Sequence, residues 1–259
     1  SPDNYCSRRL QLEIVFYLTV AAIGLVFGSF TALLITRIPM GESIVSPPSH
    51  CSHCQTKLRV LDLVPLFSWL FLKGRCRYCQ AAISIGYPAV EFLTMVLFMG
   101  VFLRWGMSAQ TVAGWALTIV LVSAAFIDLA EGIIPDIITI PGLALGLAFS
   151  FFTIGFFQAL GGAVAFLGVL LLVAVISKGG MGGGDIKLAA VIGAFTGLPG
   201  AVITLLLSSL LGSVFGVTLI LLGKAGRKTP VKFGPFLAVG AYTAFLFTPE
   251  IVSWYMGLW

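Results

Sequence analysis

Charged side chains are scarce in this chain of 259 residues. Asp, Glu, Lys and Arg make up 10% of the sequence against 59% hydrophobic residues, and the mean hydropathy is +1.06. Soluble domains contain roughly 25% charged residues, so this chain cannot cover a water-facing surface and a soluble enzyme is excluded. A disordered chain is excluded as well, because disordered chains are polar. The composition therefore predicts a membrane protein.

Long apolar runs fill most of the sequence. A membrane-spanning helix needs about 20 apolar residues, and runs of this length without strand alternation satisfy their backbone groups as helices. We expect an all-α polytopic membrane protein with about eight transmembrane helices and a small tetracysteine domain between the first two. The predicted spans are 12–36, 87–103, 109–129, 133–157, 159–177, 185–197, 200–222 and 234–257. The pair Pro199-Gly200 predicts a tight turn between the sixth and seventh spans.

The positive charges predict an orientation. The net charge is +5, and the longest polar stretch is 37–86. If that stretch is cytoplasmic, only Arg8, Arg9 and Arg104 lie outside, a strong positive-inside bias that puts both termini on the far side. The basic residues on the cytoplasmic side are then Arg37, Lys57, Arg59, Lys73, Arg75, Arg77, Lys178, Lys187, Lys224, Arg227, Lys228 and Lys232. Topology thus explains the basic isoelectric point, and no nucleic-acid partner is expected.

Two Cys-x-x-Cys pairs stand 21 residues apart in the polar stretch. They consist of Cys51, Cys54, Cys76 and Cys79. Such pairs predict a tetrahedral thiolate site for structural zinc, which requires a reducing compartment. We expect the metal to order a segment of ~50 residues that has no large core. A redox or catalytic role is the alternative; His50 and His53 flank the first pair as other possible ligands, and Cys6 has no assigned role.

Three aspartates stand near the ends of apolar runs, where an ionisable group is costly and indicates function. Asp128 ends one span, Asp136 begins the next, and Asp185 follows a glycine run. Two carboxylates in a site of low dielectric cannot easily both ionise, so one keeps its proton beside the other. Such a pair can activate water and protonate a leaving amine, which is peptide hydrolysis without a nucleophilic side chain.

Each aspartate also has a structural interpretation. Asp136 follows Pro135 at a predicted helix start, where capping is the favoured role. Asp128 could reach interfacial water, and Asp185 could pair with Lys187 or cap the following helix. The glycine run could be a hinge; a phosphate-binding loop is disfavoured because the run lacks the Gly-Lys-Ser/Thr ending.

The stretch Gly180–Leu188 resembles the Gly-x-Gly-Asp motif of intramembrane aspartic proteases, and its flanks resemble the bacterial type IV prepilin peptidases. Further segments resemble the same family in the same order. These are Gly28-Ser29-Phe30 with Arg37 and Pro39, both cysteine pairs with Pro65, Ser68 and Trp69 between them, Tyr87-Pro88 with Glu91, Ile127-Asp128, Ile134-Pro135-Asp136, and Phe233–Ala238.

The resemblance implies a protein of the bacterial inner membrane. Such enzymes cut the basic leader from type IV prepilins and type II secretion pseudopilins at the cytoplasmic face, and many then methylate the new N-terminus with S-adenosylmethionine. It maps the catalytic pair onto Asp128 and Asp185, with Gly182, Gly184 and Lys187 as the supporting loop. The tetracysteine segment matches a domain associated with methylation and zinc.

Three positions depart from the family pattern. Ala32, Thr36 and Gly86 replace the usual Asn, Tyr and Arg. They lie in or near the parts associated with methylation, and no residues are assigned to S-adenosylmethionine. We expect three regions: 1–36 with the first helix, 37–86 as the tetracysteine domain, and 87–259 as the membrane-embedded peptidase domain.

Two alternative functions remain at this point. The first is a proton- or metal-coupled transporter whose acids carry cations and whose cysteines sense metal, although no convincing inverted repeat is visible. The second is a related protease of other membrane helices, which would not usually carry a tetracysteine domain.

Overall fold

The computed structural model describes residues 2–178, 180–224 and 232–257, with side chains from residue 11 onward except residue 12. The predicted inside charges Arg227 and Lys228 lie outside the described residues, and the side chains of Cys6, Arg8 and Arg9 are not described. The described helices are α1 (Pro2–Arg37), α2 (Phe67–Phe71), α3 (Gly86–Trp105), α4 (Ala109–Glu131), α5 (Asp136–Ser150), α6 (Phe156–Ile176), α7 (Gly183–Leu221) and α8 (Gly234–Met256), with one 3-10 turn at Val60–Asp62.

The regular secondary structure of the described residues is helical, apart from two isolated β-bridges beside the cysteine pairs. Six of its helices are long and apolar enough to cross a membrane, and α5 is a shorter apolar helix. Together these seven helices cover the eight predicted spans, which confirms the predicted fold class. The fourth span is shorter than predicted. Its helix ends at Ser150, because the Gly155 N–H closes a turn onto the Ser150 carbonyl (2.8 Å) with Gly155 at a positive φ of 90°.

Helix α7 covers the two predicted spans 185–197 and 200–222. Its 39 residues would extend about 58 Å if straight, nearly twice the hydrocarbon thickness of a bilayer. The helix is interrupted at Gly197, whose φ of 66° and ψ of −174° suit glycine alone. Pro199 then falls in the first turn of the second half, where its missing N–H costs nothing. The break therefore precedes the predicted turn by two residues.

The chain divides into two compact units, residues 1–106 and 107–259. In the first unit α1 packs along α3, and the approach is close enough that a Cβ on Gly28 would lie 2.6 Å from the Glu91 Cα. In the second unit α7 packs against α5, α6 and α8, and α4 packs against α5 and α8. The buried centre of this second unit includes the fully buried side chains of Leu117, Ile127, Leu170, Leu188, Ile192 and Leu237.

Candidate active site and metal centre

Asp128 lies in the last turn of α4 and is 6% exposed. Ile127 beside it is fully buried, so the Asp128 side chain lies at the edge of the core of the second unit. Helix α4 ends in the left-handed conformation at Gly132, whose N–H donates to the Asp128 carbonyl oxygen (2.8 Å). The burial argues against the interpretation in which Asp128 simply reaches interfacial water.

The start of α8 holds the Asp128 side chain in place. The Gly234 N–H donates to Asp128 Oδ2 (3.0 Å), and a Cβ on Gly234 would lie 2.8 Å from that oxygen. The Lys232 ammonium donates hydrogen bonds to the carbonyl oxygens of Leu129 (2.6 Å) and Ala130 (3.3 Å). Its positive charge thereby offsets the partial negative charge at the exposed C-terminus of α4. Sequence reasoning gave Gly234 and Lys232 no role in the site, although a Gly-Pro pair opening the last apolar run was an available signal.

Asp185 reaches the same region from the start of α7. Gly184 allows the approach, because a Cβ there would lie 2.8 Å from the Ile134 Cβ and 3.0 Å from the Ile134 carbonyl oxygen. Gly182, just before the helix, lies beside the carboxylate: its own Cβ would stand 3.1 Å from Asp185 Oδ2. The glycine run therefore lets α7 begin against the loop between α4 and α5.

The Asp185 carboxylate is only partly satisfied by hydrogen bonds. It lies beside the Gly182 backbone at the start of α7, and its Oδ1 is buried without a hydrogen-bond partner. A buried unpaired polar atom is costly and calls for an explanation, of which a catalytic role is one. Asp185 also lies close enough to Asp128 for the two negative charges to repel each other. The fold thus brings together two carboxylates that are far apart in sequence.

Asp136 and Lys187 form an ion pair beside these two carboxylates. The Lys187 ammonium contacts both Asp136 carboxylate oxygens at 2.6 and 2.8 Å, and both side chains are about half exposed. Asp136 is the first residue of α5, so the acid also faces the positive end of that helix. The suggestion that Lys187 pairs with Asp185 is wrong, because Lys187, two residues further along α7, contacts Asp136 instead.

The two cysteine pairs form matching turns that meet at one point. In the first turn Cys51 and Thr56 share a backbone hydrogen bond (3.0 Å), and in the second Cys76 and Ala81 do the same (2.9 Å). The four sulfur atoms of the two pairs all lie within 4.8 Å of one another. The group that could hold a metal in the described residues contains Cys51, Cys54, Cys76 and Cys79, without either His50 or His53.

The geometry of this cluster fits a thiolate-bound metal ion. Sulfurs held ~2.3 Å from one zinc ion in a tetrahedron stand about 3.8 Å apart, and Cys51 Sγ lies 3.8 Å from Cys79 Sγ. The contact with Thr56 lowers the pKa of the Cys54 thiol to about 6, whereas burial and the neighbouring thiols raise the pKa of Cys79 to about 11. One thiol of the cluster therefore ionises near neutral pH, and another would release its proton only when a metal binds.

Polar anchors order the chain between the two cysteine pairs. Burial alone would raise the pKa of the Asp62 carboxyl, but bonds from the Arg59 amide, Tyr78 and Arg77 lower it below its ordinary value. Glu91 of α3 accepts the Leu66 N–H at 2.6 Å. Sequence reasoning assigned none of these contacts.

Comparisons with known proteins agree with this arrangement. A bacterial peptidase A24 N-terminal domain matches residues 22–105, and the type IV leader peptidase family matches residues 115–217. Similar curated proteins include the prepilin leader peptidase/N-methyltransferases of Aeromonas hydrophila and of Bacillus subtilis (strain 168). The first is 38% identical, covering 95% of each chain; the second is 36% identical, covering 90% of this chain and 95% of the relative.

The chain belongs to the type IV leader peptidase family. A third relative, the prepilin leader peptidase/N-methyltransferase of Stutzerimonas stutzeri, is 34% identical over 94% of both chains. No solved structure matches the chain. The family and these relatives leave the transporter alternative without support, and they agree with a multi-pass membrane protein. Within the family match, Asp185 lies in the peptidase region and the cysteine cluster lies in the N-terminal region.

Proposed function

We propose that this chain cleaves the basic leader peptide from type IV prepilins and from type II secretion pseudopilins, and then methylates the new N-terminus. The relatives that carry this double name match almost the whole chain, so both activities have a counterpart here. The observation that carries the cleavage step is that the Asp128 and Asp185 carboxylates lie close enough for their charges to interact, with one buried Asp185 oxygen left unpaired.

Asp128 and Asp185 act together on one water molecule in this proposal. Repulsion between neighbouring carboxylates in a site of low dielectric favours the state in which one proton is shared by the pair. The ionised member takes a proton from water, whose oxygen attacks the scissile carbonyl carbon. The protonated member polarises the carbonyl oxygen and then helps the amine to leave, so the peptide C–N bond breaks without a covalent intermediate.

The neighbouring residues position this pair. Gly234 fixes one Asp128 oxygen through its backbone N–H, and Gly184 lets α7 start against Ile134, which sets the position from which Asp185 extends. Lys187 engages Asp136 and so is kept away from the catalytic pair. A free ammonium at the pair would favour the ionised form of both carboxylates, so that neither could donate a proton. The charge of Lys232 reaches Asp128, but its ammonium is engaged by the carbonyl oxygens of Leu129 and Ala130.

The tetracysteine cluster is proposed to hold structural zinc. Cys51, Cys54, Cys76 and Cys79 would supply four thiolates, and such a closed site stabilises a fold without activating water. Methylation requires a methyl donor, which we propose is S-adenosylmethionine; its binding residues are not assigned.

We place the protein in the bacterial inner membrane with the cysteine cluster and the aspartates on the cytoplasmic side. The positive-inside distribution of Lys and Arg supports this orientation. The prepilin helix would enter from the bilayer, with its basic leader in the cytoplasm. A glycine at the cleavage site lowers the cost of unwinding the helix there, because glycine is a poor helix former.

Mass spectrometry of a prepilin incubated with the purified protein in liposomes tests both activities. We expect removal of the leader, and a further gain of one methyl group at the new N-terminus when S-adenosylmethionine is present. Asp185→Asn should abolish cleavage while leaving the cysteine cluster able to bind zinc. Cleavage at an undiminished rate by Asp185→Asn would contradict the proposed mechanism, and an uncut prepilin with the wild-type protein would contradict the proposed function.

A further inference from the structure

Residues 60–72, between the two cysteine pairs, expose an unusual number of large apolar side chains. Phe71 is 84% exposed, Val60 is 82% exposed and Leu61 is 71% exposed. Others with exposed side chains in the same segment are Leu63, Val64, Phe67 and Leu70. Water-facing surfaces rarely carry such a concentration of apolar side chains. Each square ångström of apolar surface that stays in water forgoes about 25 cal/mol of the free energy that burial would provide. The segment therefore needs an apolar neighbour.

Glu91 fixes the height of this segment along α3. The Leu66 N–H donates to Glu91 Oε2 (2.6 Å), and Glu91 is 7% exposed within the first two turns of the helix that begins at Gly86. The 20 residues of α3 extend about 30 Å, the thickness of the hydrocarbon core. Glu91 lies roughly 7–8 Å along that length, and helical side chains tilt back toward the N-terminus. The Leu66 backbone therefore lies at the level where α3 leaves the bilayer.

Basic residues flank the apolar segment on both sides. Lys57 and Arg59 precede it, and Lys73, Arg75 and Arg77 follow it, all with exposed side chains. Asp62 is the single acid between Lys57 and Arg77, and its side chain is neutralised by Arg77 at 2.6 Å. An apolar surface with a basic edge is complementary to a bilayer with anionic headgroups.

We propose that residues 60–72 form a membrane-interface segment. Its exposed apolar side chains insert between the headgroups and the acyl chains of the leaflet at which α3 begins, and its basic flanks contact anionic phospholipid. The bond between Glu91 and Leu66 holds the backbone at that depth. The proposal concerns the lipid bilayer as partner and does not depend on the peptidase mechanism.

Photo-crosslinking in nanodiscs tests this placement. The full chain carrying Phe71→p-benzoylphenylalanine is reconstituted in phosphatidylglycerol and phosphatidylethanolamine, irradiated and analysed by mass spectrometry. Phe92, 51% exposed on α3, serves as the lipid-facing reference, and the exposed Ser52 in the first cysteine turn serves as the polar control. We expect lipid adducts at Phe71 comparable to those at Phe92 and at least ~tenfold more abundant than at Ser52.

A second position and a charge variant make the result decisive. Leu70→p-benzoylphenylalanine should also give lipid adducts, and the phosphatidylglycerol share of the adducts should exceed its share of the bilayer. Lys73→Gln combined with Arg75→Gln should remove that excess. Adducts at the level of Ser52 for both positions would overturn the proposal, as would crosslinks to a second copy of the chain or to an added prepilin in place of lipid. An anionic share equal to that of the bilayer would overturn the role of the basic flanks.

Discussion

The cysteine cluster and the aspartate pair are assembled in different ways. Four sulfurs come together on two short turns joined by a segment with exposed apolar side chains, so their order depends on side-chain ligands and a few polar anchors. The two carboxylates lie at the ends of two packed helices, where glycines permit close backbone contact. The first site should therefore respond mainly to loss of a ligand, and the second to the addition of a single methyl group.

Loss of one thiolate should have the largest effect. Cys76→Ser leaves three sulfurs, and a structural zinc site in a small domain contributes roughly 10–16 kcal/mol to folding, so we expect loss of bound metal and of the order of residues 50–82. Cysteine-bound zinc measured by elemental analysis, with hydrogen exchange of that segment, checks this. The control is Cys6→Ser, outside the two pairs, which should retain the metal. Retention of one zinc per chain by Cys76→Ser would show that the cluster does not depend on all four cysteines.

A methyl group at Gly234 should have the next largest effect. Gly234→Ala places a Cβ 2.8 Å from Asp128 Oδ2 and displaces the carboxylate, and a misplacement of about 1 Å can cost ~100-fold in rate. We expect kcat for prepilin cleavage to fall with KM little changed, because the substrate surface is not altered. Gly161→Ala is the matched control, since a Cβ there meets nothing within 4 Å. Equal rates for the two variants would mean that Gly234 does not position Asp128.

Two consecutive glycines provide an internal comparison at the start of α7. Gly184→Ala forces a Cβ against the Ile134 backbone, whereas a Cβ at Gly183 has open space. We expect Gly184→Ala to reduce cleavage about tenfold or more through displacement of Asp185, and Gly183→Ala to remain near the wild-type rate. Cleavage kinetics on one prepilin, with thermal unfolding of both variants, separate displacement from unfolding. A larger loss for Gly183→Ala would contradict the close approach of α7 to the loop before α5.

The ion pair between Asp136 and Lys187 should have the smallest effect. Both side chains are about half exposed, so the pair should contribute only about 0.2–1 kcal/mol to stability. We expect Lys187→Met to lower the unfolding temperature by no more than a few degrees. A reversed pair, Asp136→Lys with Lys187→Asp, should recover part of that loss. Complete loss of folding in Lys187→Met would show that the ion pair contributes far more to stability than its exposure indicates.

The sequence predicted the helices well because their signal is local. Apolar run length fixed the seven described helices that cover the predicted spans, and the cysteine spacing predicted the four-sulfur cluster. The partners of individual side chains were harder to predict. Gly234 and Asp128 are far apart in the chain, and their bond depends on a backbone approach that hydropathy does not encode. The same reason explains why Lys187 was paired with its sequence neighbour Asp185 as one alternative, although it contacts Asp136.

Single-turnover cleavage by Asp128→Asn, Asp185→Asn and the double variant measures whether the two carboxylates act as one catalytic unit. If both carboxylates share one water and one proton, either substitution alone removes the catalytic step. The effects on rate of substituting residues that act as a unit are therefore strongly non-additive. We predict that each single variant loses cleavage as fully as the double variant does. Appreciable cleavage by either single variant, or losses that multiply in the double variant, would contradict the account.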